Sequence, residues 1–242
     1  RFRAYWPYSA GIKANSNANL LAVEYKSLTE QHDLLVAYAT RYPLDPDLAE
    51  DERTKRVPLR FRHALAGLRF EVRYKTGTTE AGLEDYVTEF HLKGLCPVGT
   101  MFYGQSDDIP GSGTGSVTWI VSANTFDDAS EMFPWSGRRR LYSGDADSEG
   151  NISGGETATV FDGDNVVFVI PQTLSPSDAK KTTANFRTEG GGDALNTAVL
   201  PQTALEPGKI YTFTLIIHSS YVSVGISIRD WDTLQSNIDI NL

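Results

Sequence analysis

The sequence predicts an all-β sandwich. Two observations carry that prediction. Apolar side chains recur at every second position in most of the apolar runs, and those runs are divided by turns rich in Gly, Ser and Asp. A third is negative: helical spacing is tolerable only over 175–186, where Ser177 caps one short helix or the segment is a loop.

The chain opens on RFRAYWPYSAG, with Phe2, Ala4 and Trp6 on one side. That reads as the interior of a strand and points to a processed or truncated chain. LLVAYAT (34–40) is a short apolar strand. In VPLRFRHALAGLRFEV (57–72), Val57, Leu59 and Phe61 occupy odd positions, whereas Leu68, Phe70 and Val72 occupy even ones. Alternate residues of a strand face opposite ways, so the buried face changes parity around Ala64-Leu65-Ala66-Gly67. Either one bent, bulged strand or two strands passing between sheets satisfies this. Gly67 suits the unusual dihedral expected at such a site. His63 keeps the register of Leu59 and Phe61, so it is expected to point inward and bond a backbone group near the kink, as a structural histidine. DYVTEFHLKGL (85–95), SVTWIVS (116–122) and NVVFVIPQ (165–172) follow as strands. KIYTFTLIIHSSYVSVGISIRDW (209–231) alternates, turns at His218-Ser219-Ser220 and alternates again, which predicts a hairpin.

A chain of 242 residues holds one large sandwich or two smaller domains. Its net charge of −9 opposes nucleic-acid binding. The one dense basic run, Arg138-Arg139-Arg140, reads as a solvated turn or strand end. A single cysteine, Cys96, excludes an intrachain disulfide framework; its apolar neighbours make it a buried structural thiol. No apolar run reaches the ~18 residues that a membrane-spanning helix needs.

Catalytic signatures are missing. His32, His63, His91 and His218 form no pair at metal spacing, and no nucleophile elbow or phosphate loop occurs. DADSEGNISGGE (145–156) matches a calcium loop in part: Asp145, Asp147 and Glu149 alternate, Gly150 permits the sharp turn, and Glu156 closes it. A glutamate at the fifth position and non-helical flanks favour an acidic, solvated hairpin loop instead. Trp6, Trp119, Trp135 and Trp231 offer rings on which sugars stack, or else they pack the sheets.

These segments, taken in order, resemble the fimbrillin family, the pilin-like subunits of type V pili from Bacteroidetes-type Gram-negative bacteria. AYWPYS (4–9) is similar to the family's tyrosine-proline segment, and HDLLVAYA (32–39) to its short D-L-x-x-A strand. Residues 57–72 resemble its signature V-x-L-x-F-x-H-A-L-x-x-L-x-F-x-V. FVIPQTL (168–174), PGKIYTFTL (207–215) and IRDW (228–231) resemble later signatures. The resemblance implies transthyretin-like antiparallel β-sandwich domains in tandem. Residues 1–30 are then the remainder of an N-terminal β-domain, and residues 31–242 a complete C-terminal sandwich. It further implies a lipoprotein precursor trimmed after an arginine and polymerised at the cell surface, on the outer membrane, into fimbriae. Strand addition between pilus subunits joins the filament, and host surface proteins or glycans are further partners. No catalysis, cofactor or metal is implied. The tail NIDINL (237–242) alternates, which fits a donated strand or one that pairs within its own domain.

Two expectations result. One is a fimbrial structural or adhesive subunit. The other is a secreted carbohydrate-binding sandwich, with calcium at 145–156.

Overall fold

In the computed structural model, the described residues are 2–8, 13–16, 20–39, 59, 61–76, 81–104, 116–122, 126–127, 129–161, 166–177 and 180–231. They form strands and no α-helix. In chain order these are β1 (Phe2–Trp6), β2 (Lys13–Ser16), β3 (Leu20–Lys26), β4 (Leu35–Ala39), β5 (Phe61–His63), β6 (Ala66–Tyr74), β7 (Glu84–Lys93), β8 (Val98–Gly104), β9 (Ser116–Val121) and β10 (Met132–Tyr142). Then come β11 (Asp145–Ala146), β12 (Ile152–Ser153), β13 (Ala158–Thr159), β14 (Val167–Val169), β15 (Thr173–Leu174), β16 (Thr183–Thr188), β17 (Asn196–Val199), β18 (Thr203–Ala204), β19 (Lys209–Ile217) and β20 (Val222–Asp230).

Two sandwiches result. In the first, the sheet β1-β4-β5 and the sheet β2-β3-β8-β9 share a core of Val23, Tyr25, Leu34, Val36, Met101 and Tyr103. In the second, the sheet β10-β7-β16-β17 faces the sheet β13-β6-β19-β20, whose strand β6 also pairs with β14. Its core centres on Phe70, Phe90, Phe186 and Phe213. Each inner face is a row of alternate apolar residues, so the alternation in sequence becomes burial in the fold. All described pairings are antiparallel except that of β19 with β6. That pair is parallel, as it can be when a long excursion separates the strands.

Residue 30 does not coincide with a break between sheets. β1 pairs with β4, and β3 pairs with β8, so segments from both sides of that residue build the first sandwich. The excursion β8-β9 leaves the second sandwich and completes the first.

The parity change at 57–72 has a direct cause. β5 pairs with β4 in the first sandwich, with His63 opposite Leu35. β6 pairs with β19 in the second. Leu65 is buried in the first core, whereas Ala66, Leu68, Phe70 and Val72 are buried in the second. Leu59 and Phe61 pack with Ala37 in a small separate cluster, Ala64 and Leu65 enter the first core, and the chain crosses to the second core between Leu65 and Ala66. Val57 lies outside the described residues.

Three expectations change here. Gly67 does not adopt the left-handed dihedral expected of it. It is required for space: a Cβ there meets Val166 Cγ1 at 2.8 Å, Ile210 Cγ1 at 3.2 Å and Trp231 Cζ3 at 3.4 Å. His63 points inward as expected, but its Nδ1 bonds the Asp33 carboxylate at 2.6 Å where a backbone partner was expected. Over 175–186 the described residues form no α-helix; 183–186 belong to β16, because Ala184 and Phe186 are needed in the second core. The hairpin expected over 209–231 is present, with β19 and β20 paired from Lys209↔Asp230 to Ile217↔Val222.

Candidate assembly edge

β20 lies at the margin of its sheet. Among the described residues, no strand pairs with its outer edge. Residues directly opposite in an antiparallel pair share a face. Ile226 is opposite Phe213 and Ile228 opposite Tyr211, both of which are buried in the core. Ile226 and Ile228 therefore belong to the core face, yet they remain 41% and 56% exposed. Val222 and Val224, on the same face, pack against the core. The cover fails because β17, the nearest strand of the opposite sheet, is only four residues long. Between Val222 and Ile228 the edge carries neither charge nor proline. Natural edge strands are ordinarily blunted by such residues, because bare amides and apolar side chains recruit another strand. The geometry is an apolar seam with a row of backbone donors and acceptors beside it.

The histidines lie elsewhere. His218 stacks on Tyr221 at the β19–β20 turn, with ring centroids 4.0 Å apart. His91, on β7, is 7% exposed. Its Nε2 lies 3.6 Å from Glu131 and has no hydrogen-bond partner among the described residues. Burial holds this imidazole below its usual value; Glu131 and Glu89 pull against that, while Lys93 and Arg187 reinforce it. An unfolded histidine titrates near pH ~6.5. With the folded value lower, the unfolded chain binds the proton first. The stability contributed by neutral His91 is complete above about pH 6.5 and is lost as pH falls through the folded value. Urea midpoints of the wild type should therefore fall between pH 7.5 and 5 more steeply than those of His91→Gln. Equal slopes would show that His91 carries no such linkage.

Residues 1–231 match the model of a family described as fimbrillin-like. The chain belongs to the fimbrillin-like family. No curated protein sequence matches it. A fimbrial protein from Bacteroides vulgatus is similar in structure, with TM-score 0.61 at 15% identity, over 95% of this chain and 76% of that one. Proposed cell adhesion proteins from Bacteroides uniformis and Bacteroides ovatus are similar with TM-scores 0.49 and 0.47, at 19% and 18% identity. Both alignments cover 95% of this chain, and they span 72% and 66% of those chains. At these identities the likeness to the Bacteroides vulgatus protein concerns the fold.

The fimbrillin-like chain does not gather its other candidate residues into one site. Asp145 accepts a bond from Tyr142 Oη. Asp147 turns onto its own hairpin, accepting from the Glu149 and Asn151 amides at 2.9 and 2.8 Å. Glu149 is exposed, and Glu156 pairs with Arg140 at 3.2 Å. Among the described residues no group of three or more acidic, His or Cys side chains is arranged to hold a metal ion. Trp135 is buried, and Trp119 is half-buried, donates its indole N–H to Ala64 O at 2.7 Å and meets Tyr25 edge-on. Trp6 is exposed, and Trp231 stacks on His63 and Phe168. Cys96 is half-buried where full burial was expected, and it lines a cleft of about 210 Å³ with Lys180 and Gln172. Burial pushes its thiol up, which Lys180 opposes. Gln172 clamps the Cys96 backbone, accepting from its N–H at 2.9 Å and donating to its C=O at 3.1 Å. Arg138-Arg139-Arg140 lie within β10, where Arg138 pairs with Glu189 at 3.0 Å and Arg140 with Glu84 at 3.3 Å. Arg139 lies over the Trp135 ring at 5.5 Å, so the run is split between acidic partners and an aromatic one.

Sequence reasoning named Ile226 and Ile228 as hairpin residues and missed their exposure. The same alternation occurs in central and edge strands, so the signal for the seam lies in the shortness of 196–199. The tail 237–242 lies outside the described residues.

Proposed function

We propose that this chain is a non-catalytic structural or adhesive subunit of cell-surface fimbriae, joined to its neighbours by β-strand addition at the β20 seam. One observation carries the reading: on an edge strand that is uncharged from Val222 to Ile228, Ile226 and Ile228 face the core side and remain uncovered. Strand addition supplies backbone hydrogen bonds for affinity and alternate side chains for register. Such contacts are head-to-tail and do not close on themselves, so they extend into a filament. Membership of the fimbrillin-like family over residues 1–231 supports the subunit role. The family resemblance adds the outer-membrane location, the lipoprotein precursor and the trimming protease. The alternation of Ile238, Ile240 and Leu242 suits a strand that fills a neighbour's seam.

The test is assembly of the full-length, protease-trimmed subunit. Ile226→Lys with Ile228→Lys should reduce SDS-resistant ladders at least about tenfold, since two charges are forced into the apolar seam. Both side chains are exposed, so the unfolding free energy from urea titration should shift by only about 0.5 kcal/mol per site. Ladders equal to those of the wild type would overturn the assignment of β20 as the acceptor edge.

A further inference from the structure

The chain comes into the second sandwich at the point where β20 ends. Leu65, where it comes in, accepts a bond from the Gly208 N–H at 2.8 Å. Trp231, where β20 ends, donates its N–H to Gly208 O at 2.8 Å. One residue thus ties both strands together. Side chains close over this tie. The His63 ring lies flat on the Trp231 indole, with centroids 4.4 Å apart and planes 4° apart. Phe168 stacks on Trp231, at 5.3 Å and 11°. Asp33, from the first sandwich, holds His63 through Nδ1 at 2.6 Å. Gln31 anchors Phe168 at both backbone groups, donating to its C=O at 3.1 Å and accepting from its N–H at 3.0 Å.

We propose that the His63–Trp231–Phe168 ring stack is a mechanical clasp: tension between the first sandwich and the chain beyond Trp231 crosses this stack and bypasses the sheets of the second sandwich. The placement of the stack supports it. A pull on Trp231 meets first the rings fixed to Asp33 and Gln31, both of which belong to the first sandwich's side of the junction. Behind the clasp lies the weakest loading geometry in the sheet. The end of β20 under load is Asp230, paired with Lys209 at 2.5 Å, and not the turn at 218–221. Once the clasp opens, β20 peels from β19 one rung at a time, whereas a sheared strand resists with all its rungs together. The use of such a clasp rests on the fimbrial reading, in which linked subunits carry load; its geometry does not.

The experiment is single-molecule pulling on the full chain, with Cys96→Ser, held at Arg62→Cys and at the chain end. Arg62 is exposed on β5, directly before His63. Trp231→Leu should raise the rate of the first opening event about tenfold at a given force, through the loss of two ring stacks. His63→Gln, which retains a hydrogen-bonding group for Asp33 but not the ring, should raise it by a smaller factor in the same direction. Trp231→Phe should restore most of the wild-type rate. Phe213→Leu loosens the second core away from the clasp and should leave the first event unchanged. A Trp231→Leu rate within twofold of wild type, or an equal effect from Phe213→Leu, would overturn the proposal. None of these outcomes depends on assembly, so the clasp and the fimbrial reading fail separately.

Discussion

Phe70→Ala should lower the stability of the second sandwich by about 3–5 kcal/mol, the range for deleting a fully enclosed aromatic ring. Phe70 has no solvent exposure and is the hub of the second core. Its ring lies 4.8 Å from that of Phe90, 5.3 Å from that of Phe213 and 6.3 Å from that of Phe161. Phe213 is its register partner on the parallel strand, so the loss opens a void within one sheet as well as between two. Phe161 depends on the same cluster. It has a φ of 74°, a conformation that costs a non-glycine residue about 1–3 kcal/mol unless packing enforces it. Its ring stands edge-on to Phe90 at 5.2 Å, which is the packing that enforces it. Phe70→Leu keeps most of the volume and should cost under about 1.5 kcal/mol. Urea unfolding of both variants measures the difference. Equal effects would show that retained volume does not replace the ring and would overturn the packing argument.

The parity change around Ala64-Leu65 announced that one segment serves more than one buried face, and the structure supplies a small cluster around Ala37 and then the first core before Ala66, and the second core from Ala66 onward. The hairpin over 209–231 was readable for the same reason: period-two alternation survives wherever one face of a strand is buried. Legibility stopped where a contact depends on distant chain. Nothing near His63 in sequence indicates Asp33, which reaches it only because β4 pairs with β5. Gly67 looked like a dihedral requirement because turns are where glycine usually matters. Its real constraint is the close approach of Val166, at 2.8 Å, and Ile210, at 3.2 Å, both of which arrive from distant parts of the chain. The return of β8 to β3 was invisible for a related reason. A strand's pattern states that it has a buried face and never which sheet provides the cover. The open seam is the extreme case, since exposure of Ile226 and Ile228 depends on how far another strand extends.

Gly94→Ala should be at least as damaging as the loss of Phe70, at about 4 kcal/mol or more, for an unrelated reason. Gly94 ends β7, where the chain leaves the second sandwich for the first. Its φ is 78°, and a Cβ there would lie 2.0 Å from Lys181 O, 2.7 Å from Lys181 C and 3.0 Å from Thr182 Cα. These are backbone atoms, so no side-chain rotation relieves the overlap. The surroundings are also tied down: Gly94 N–H donates to Asp127 O at 3.0 Å, and Gly94 O accepts from Thr182 Oγ1 at 2.9 Å. Moving Lys181 aside drags Thr183, which opens its pairing with Lys93 and with it the start of β16. Gly82 supplies the control. Its φ is 74°, but nothing lies within 4 Å of its Cβ position. Gly82→Ala should therefore cost only the left-handed penalty of about 1–2 kcal/mol. The gap between the two variants in urea unfolding isolates the collision with Lys181. If Gly94→Ala and Gly82→Ala unfold at the same midpoint, the backbone at 181–182 yields freely and the close approach at this crossing is not a constraint on the fold.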